Sequence, residues 1–159
     1  RCNVPLAGVI YQPMTGDLYA AEAGNGAFMN GRRLRVSGCP VLAEAIGVTG
    51  FACLRAGWTE ENNLAFFNRL APQLMDVRKN GSAALDCCYV ARGSVDFFWE
   101  MCLQPYDIAA GILMVSEAGG RVSDWYNGDH FPGDGTLVSN GAIHSAVLKN
   151  LSGFRNLKR

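Results

Sequence analysis

Two carboxylates flank one short connection in this chain. Glu100 closes the apolar run Asp96-Phe-Phe-Trp, and Asp107 follows Pro105 and Tyr106 at the head of Ile-Ala-Ala-Gly111. Proline suits the first turn of a helix because its missing N–H has no partner to lose there, so Asp107 falls in that first turn, near the positive end of the helix. An acid there stabilises its helix; the same acid at a strand-to-helix switch can offer an oxygen to a hard cation. Glu100 and Asp107 can face one cleft from the two sides of their connection, an arrangement suited to metal or polyol binding. A second junction, Arg78-Lys79-Asn80-Gly81-Ser82-Ala83, places Gly-Ser before another helical run. Ser82 is a natural N-cap. The free N–H groups of that turn could equally bind an anion or a hydroxylated ligand, which Gly81 would let approach the backbone. Both readings stay open from spacing alone.

These residues need elements to hold them. Val4 to Gln12 and Asp17 to Glu22 read as an antiparallel pair around Met14-Thr15-Gly16. Asn30-Gly31 joins Gly26–Asn30 to a run from Arg33 to Ser37 by a type I′ turn. After Pro40 the pattern alternates: a strand at Ala45–Thr49, a helical run from about Glu60 to Leu74, and a strand near Val77. A helix at Ser82–Arg92, a strand at Val95–Met101 and a helix at Asp107–Ala118, closed by Gly119-Gly120, come next. Short strands at Arg121–Asp124 and Thr136–Ser139 and a helix from about Ala142 complete the chain. Strands alternating with helices predict a layered α/β fold. Ala109, Ala110 and Gly111 require that the helix backbone approach another element closely. The first strand begins within a few residues of Arg1 without a preceding cap or partner, so the reading expects further sequence ahead of it.

Composition narrows the function classes. The 159 residues carry 14 Lys+Arg against 14 Asp+Glu, with 49% hydrophobic residues, which describes an ordinary globular chain of about one domain. Zero net charge gives no field for a non-specific nucleic-acid coat, so no nucleic-acid partner is expected. Apolar runs such as Ile108–Val115 fall far short of the roughly 20 residues that span a bilayer, and the first residues do not form a signal peptide. The reading is therefore a cytoplasmic protein without a membrane partner. The cysteines at 2, 39, 53, 87, 88 and 102 contain no C-x-x-C pair, so buried free thiols are expected rather than a zinc or redox site. No G-x-x-x-x-G-K-[ST], G-x-S-x-G or G-x-G-x-x-G occurs, and His130 and His144 accompany no hydrolase triad.

Taken together, the segments resemble the inositol monophosphatase family of magnesium-dependent, lithium-sensitive sugar-phosphate phosphatases. The matching stretches are Ala7-Gly-Val-Ile-Tyr-Gln-Pro13, Asp17-Leu-Tyr and Gly26-Ala-Phe-Met-Asn-Gly31, then Gly81-Ser-Ala-Ala-Leu-Asp and Val90-Ala-Arg-Gly93. Trp99-Glu100, Pro105-Tyr-Asp-Ile-Ala-Ala-Gly111 and Glu117-Ala-Gly-Gly120 follow in family order. The resemblance implies an α-β-α-β-α sandwich of which this chain is the C-terminal part. Residues 1–40 would be antiparallel strands from the end of a first domain, and 41–159 the C-terminal α/β domain. It also implies that Asp107 ligates Mg2+ and contacts substrate, that Glu100 hydrogen-bonds substrate hydroxyls, and that Gly81, Ser82 and Ala83 meet the sugar ring. Tyr106 stands where the family usually has Trp. The family's D-P-[IL]-D-G-[ST] motif and its metal-binding glutamate do not occur in this chain, and Asp107 alone cannot hold a metal cluster.

The resulting expectation is a phosphatase acting on a sugar or polyol phosphate through metal-activated water, paired as a homodimer. The alternative is a truncated, non-catalytic binding or interaction protein that keeps the second half of the fold and shows a hydrophobic face where the other half would dock.

Overall fold

The computed structural model describes residues 5–58 and 62–151. The readings at Cys2, Val4 and Glu60 fall outside them.

The first sheet forms in chain order from β1 (Ala7–Gln12), β2 (Asp17–Glu22), β3 (Gly26–Met29) and β4 (Arg32–Arg33), all antiparallel. Its β3–β4 turn uses Asn30 at φ 49° and Gly31 at φ 79°, the two positive-φ positions that a type I′ hairpin requires. The extended run expected to reach Ser37 pairs for only two residues. Leu34 still donates to the Ala27 carbonyl of β3 at 2.8 Å, but Val36 turns away and donates to Ala118, at the end of α4, at 3.2 Å.

A second sheet takes β5 (Ile46–Thr49), β6 (Asp76–Arg78), β7 (Phe97–Glu100), β8 (Arg121–Ser123) and β9 (Thr136–Ser139) in the order β6-β5-β7-β9-β8. β5 runs parallel to both β6 and β7, while β9 is antiparallel to β7 and β8. All four β7 residues are buried. That explains the unbroken Phe-Phe-Trp run: a central strand covered on both faces shows no alternation.

Five helices complete the fold: α1 (Ala52–Arg55), α2 (Leu64–Leu70), α3 (Ala83–Ala91), α4 (Pro105–Glu117) and α5 (His144–Leu151). The short α1 is absent from the sequence reading. α2 stops at Leu70 rather than Leu74 and passes into a 3-10 turn at Ala71–Gln73, because Pro72 lacks the N–H that would continue the ladder. α5 starts two residues late, after Gly141 at φ 86° and a turn in which Ile143 donates to the Asn140 side chain.

The layers follow from which faces are apolar. α3 and α4 pack on each other and lie between the sheets, with α4 across β1, β2 and β3. One core joins Tyr19, Ala27, Cys87, Cys88, Val90, Phe98, Met114 and Val138. A second, on the far side of the five-stranded sheet, joins Phe66, Leu70, Phe97, Trp99, Trp125, Ile143 and Val147. The order is sheet, helices, sheet, helices: four consecutive layers of an α-β-α-β-α sandwich. Close approach is real where the small residues predicted it. A Cβ at Gly8 would lie 3.1 Å from Ala110, and one at Gly111 would lie 2.6 Å from the Cys87 Cβ. Cys53, Cys87 and Cys88 are buried free thiols, whereas Cys39 and Cys102 are only partly buried. No described helix is long and apolar enough to cross a membrane.

Candidate active site

The site forms where two strand-to-helix junctions of the second sheet meet. At the first, Gly81 takes φ 93°, a left-handed geometry that favours glycine, and turns the chain from β6 into α3. Ser82 is the extended N-cap, and its hydroxyl accepts the Leu85 N–H at a long 3.4 Å. At the second junction, Asp107 accepts the Gln104 N–H through Oδ2 at 2.8 Å, so the helix-capping role open to it from sequence is realised. Its Oδ1 accepts no hydrogen bond among the described residues.

Glu100, at the end of β7, is 4% exposed. Its Oε1 accepts the Ala52 N–H at 3.0 Å, so the unpredicted α1 serves to hold this carboxyl. Gly50 leaves room for it, since a Cβ there would overlap the Glu100 carboxyl. Burial pushes the Glu100 carboxyl above its ordinary range, opposed by the Ala52 hydrogen bond and the Arg55 charge and reinforced by Asp107.

Gly81, Ser82, Ala83, Glu100 and Asp107 all line one cavity of about 320 Å³. The same wall contains three charged residues that sequence reasoning did not single out: Arg55, Lys79 and Asp86. Asp86 is 1% exposed and accepts the Asn80 amide at 2.8 Å. Burial raises its carboxyl to about 6, with the Asn80 hydrogen bond opposing and the Glu100 charge adding. Its position in a helical Ala-Ala-Leu-Asp-Cys-Cys run gives no signal of a cavity. Arg55 reaches the wall only because α1 exists, and Lys79 because β6 ends beside β5.

The arrangement combines acceptors for hydroxyl groups, two cations for an anion, and the N-termini of α3 and α4, whose dipoles favour negative charge. Magnesium takes six oxygens and commonly keeps waters and substrate oxygens beside one or two carboxylates. The free oxygen of Asp107 fits one such position. Among the described residues no group of three His, Cys, Asp or Glu side chains is placed to hold a metal ion.

The remaining histidines lie elsewhere. His144 is fully buried, between the Ser123 hydroxyl at 2.9 Å from Nε2 and the Ser139 hydroxyl at 2.8 Å from Nδ1. Burial lowers it to about 4, with Arg121 adding. Sealed from solvent, this Ser–His–Ser relay ties β8 and β9 to α5. His130 meets Asp134 at 2.9 Å in an exposed loop.

A family model described as the inositol monophosphatase family matches residues 2–153. The inositol-1-monophosphatase of Mesorhizobium japonicum is 45% identical over 145 residues, 91% of this chain and 54% of that protein. The Nus factor SuhB of Escherichia coli is 42% identical over 144 residues, again 90% of this chain and 54% of that one. Among solved structures, inositol monophosphatase from Anabaena (Nostoc) sp. superposes with a TM-score of 0.90 at 39% identity, covering 97% of this chain and 61% of the other. The chain thus spans about half the length of the curated relatives it matches. With a family match across nearly its whole length and the same fold in a solved relative, the chain belongs to the inositol monophosphatase family and carries the C-terminal part of its fold.

Proposed function

We propose that this chain is the C-terminal part of a magnesium-dependent phosphatase that hydrolyses the phosphate monoester of a sugar or polyol of the inositol monophosphate kind. The supporting observation is the convergence of Gly81, Ser82, Ala83, Glu100 and Asp107 on one cavity from two separate junctions. In this reading residues 1–40 end a first domain, residues 41–159 form the C-terminal α/β domain, and the whole protein is a cytoplasmic homodimer.

Each residue has a task its surroundings fit. Asp107 keeps Oδ2 on its own helix cap and has Oδ1 for a magnesium ion and the substrate beside it. Glu100, fixed by Ala52, orients a ring hydroxyl. The Gly81–Ala83 turn meets the ring with backbone N–H groups, and Arg55 and Lys79 offset phosphate charge. Bound magnesium would supply an acidified water and charge neutralisation at the phosphate. The other ligands for it are not among the described residues.

One observation favours the second reading, a non-catalytic binding or interaction protein. Among the described residues the outer face of the first sheet is apolar and open: Val9 and Tyr11 are 62% and 57% exposed, with Leu18 beside them. Such a face marks an interaction surface. It also accommodates the first reading, in which the other part of the protein covers it.

A chimera separates the two. The leading half of the Mesorhizobium relative is joined to this chain, and phosphate release from inositol 1-phosphate is followed while magnesium is titrated. Magnesium-dependent turnover that falls at least a hundredfold in Asp107→Asn is the expected result. A folded chimera that binds but never turns over supports the interaction protein instead.

A further inference from the structure

Asp86 has no task in the proposed function, and its place in the first turn of α3 does not account for its burial. An acid that stabilises a helix end commonly reaches free N–H groups or faces solvent. Asp86 is the fourth residue of α3, and its own N–H already bonds the Ser82 carbonyl at 2.9 Å. It is buried yet lines the cavity. A buried carboxyl is costly unless its oxygens find donors. Here the protein provides for one: Asn80 donates to Oδ1 at 2.8 Å, and no described residue donates to Oδ2. Nor does Oδ2 belong with the sealed, unpartnered polar atoms, which among the described residues are Asn63 Oδ1, Trp99 Nε1 and Thr136 Oγ1. An unbonded oxygen that is not sealed is open to the cavity.

Glu100 repeats the pattern from another element. Its Oε1 takes the Ala52 N–H, while Oε2 has no described donor and is likewise not sealed. Two buried carboxyl groups, one on α3 and one on β7, each keep one oxygen on the protein and present the other to the same cavity. A single hydroxyl has one proton to give and so cannot donate to both.

We propose that Asp86 is a specificity-determining residue that, with Glu100, receives two hydroxyl groups of the ligand, so that the site selects a polyol presenting both. This rests on reading the cavity as a polyol site and names the feature of the polyol it selects. A site with two such acceptors rejects an analogue lacking either hydroxyl, because a buried acceptor is then left unpaired.

The test is binding of myo-inositol and its monodeoxy analogues to the 159-residue chain by NMR titration, with Asp86→Ala, Asp86→Asn and Glu100→Gln alongside. Amide spectra report whether each variant folds. Asp86→Asn retains the shape: its oxygen can accept from Asn80, which turns a donor NH2 toward the cavity. In the unmodified chain, removal of either of two hydroxyls should weaken binding about tenfold or more. In both Asp86 variants one of those two losses should shrink to within about twofold while the other persists, and Glu100→Gln should give the converse pattern. If folded Asp86 variants discriminate as the unmodified chain does, the assignment of Asp86 is overturned and the polyol site stands. If myo-inositol perturbs no cavity residue of the unmodified chain, both readings are overturned together.

Discussion

Asp86 and His144 are buried groups whose protonation pulls stability in opposite directions over nearly the same pH range. Asp86 is raised from 3.8 to about 6 in the fold. Between those values the folded state binds more protons than the unfolded one, so its contribution is favourable at low pH and is lost as pH rises toward 6. Asp86→Asn should therefore stabilise the chain above pH 6, on the order of 2 kcal/mol, and make no such gain near pH 4. His144 is lowered from 6.5 to about 4. There the unfolded state binds the extra proton, so stability is present above 6.5 and is lost as pH falls toward 4. His144→Gln should remove that acid-side loss. Denaturant midpoints measured from pH 4 to 7.5 check both: the Asp86→Asn advantage must grow with pH, and the unmodified chain must lose ground to His144→Gln on acidification. Gly50 offers a third test. A Cβ there overlaps the Glu100 carboxyl, so Gly50→Ala should displace Glu100, cost about 1–3 kcal/mol and weaken polyol binding together with stability.

At the same scale, what the sequence revealed depended on local signals. Asp107 was legible because Pro105 marks a helix start and places the acid in its first turn; Glu100 was legible because it ends an apolar strand beside that start. Asp86 carries no such mark, since an acid among Ala, Leu and Cys reads as an ordinary helical position until the neighbouring strand is in place. His144 was legible only as a residue near a helix start; its serine partners lie at the ends of β8 and β9, and Ser123 is 21 residues away in sequence.

At the scale of elements, the α3–α4 contact sets the geometry of the cavity, because each helix contributes one junction to it. That contact relies on a missing side chain. Gly111→Ala would place a Cβ 2.6 Å from the Cys87 Cβ, so one helix must shift. The expected cost is about 1–3 kcal/mol, read from chemical denaturation. Ligand affinity should fall with it, although Gly111 does not line the cavity. The need for close approach was visible in Ala109-Ala110-Gly111, and its partners, α3 and β1, came only with the fold. Elements bounded by strong punctuation, such as Asp17–Glu22 and Thr136–Ser139, matched the reading. The extended run after Arg33 did not, because after one further bond to β3 the chain leaves the sheet and the Val36 N–H goes to the end of α4. The short α1 has too few residues for any periodic signal, yet it holds Glu100 and brings Arg55 to the cavity.

Across the fold, the four packed layers leave the outer face of the first sheet exposed among the described residues. Val9 pairs with Ala20 and Tyr11 with Leu18 across β1 and β2, so these side chains share one face, opposite the one packed on α4. The apolar area should show as self-association or dye binding. Replacing Val9 and Tyr11 together with Thr and Lys should reduce both, measured by sedimentation and 8-anilinonaphthalene-1-sulfonate fluorescence, without moving the melting transition by more than a few degrees. From the residues alone the alternation of strands and helices gave a layered α/β fold; the order of the layers was legible only through the family resemblance.

In the proposed function the cavity at the two junctions holds the polyol phosphate. The most direct measurement is an amide NMR titration of the 159-residue chain with inositol 1-phosphate. Shifts concentrated at Gly81, Ser82, Ala83, Glu100 and Asp107, with Lys79 and Arg55 beside them, are the predicted result. Shifts that instead gather at the shallow groove of Trp125, Tyr126 and Leu148, or on the open face of the first sheet, would contradict it.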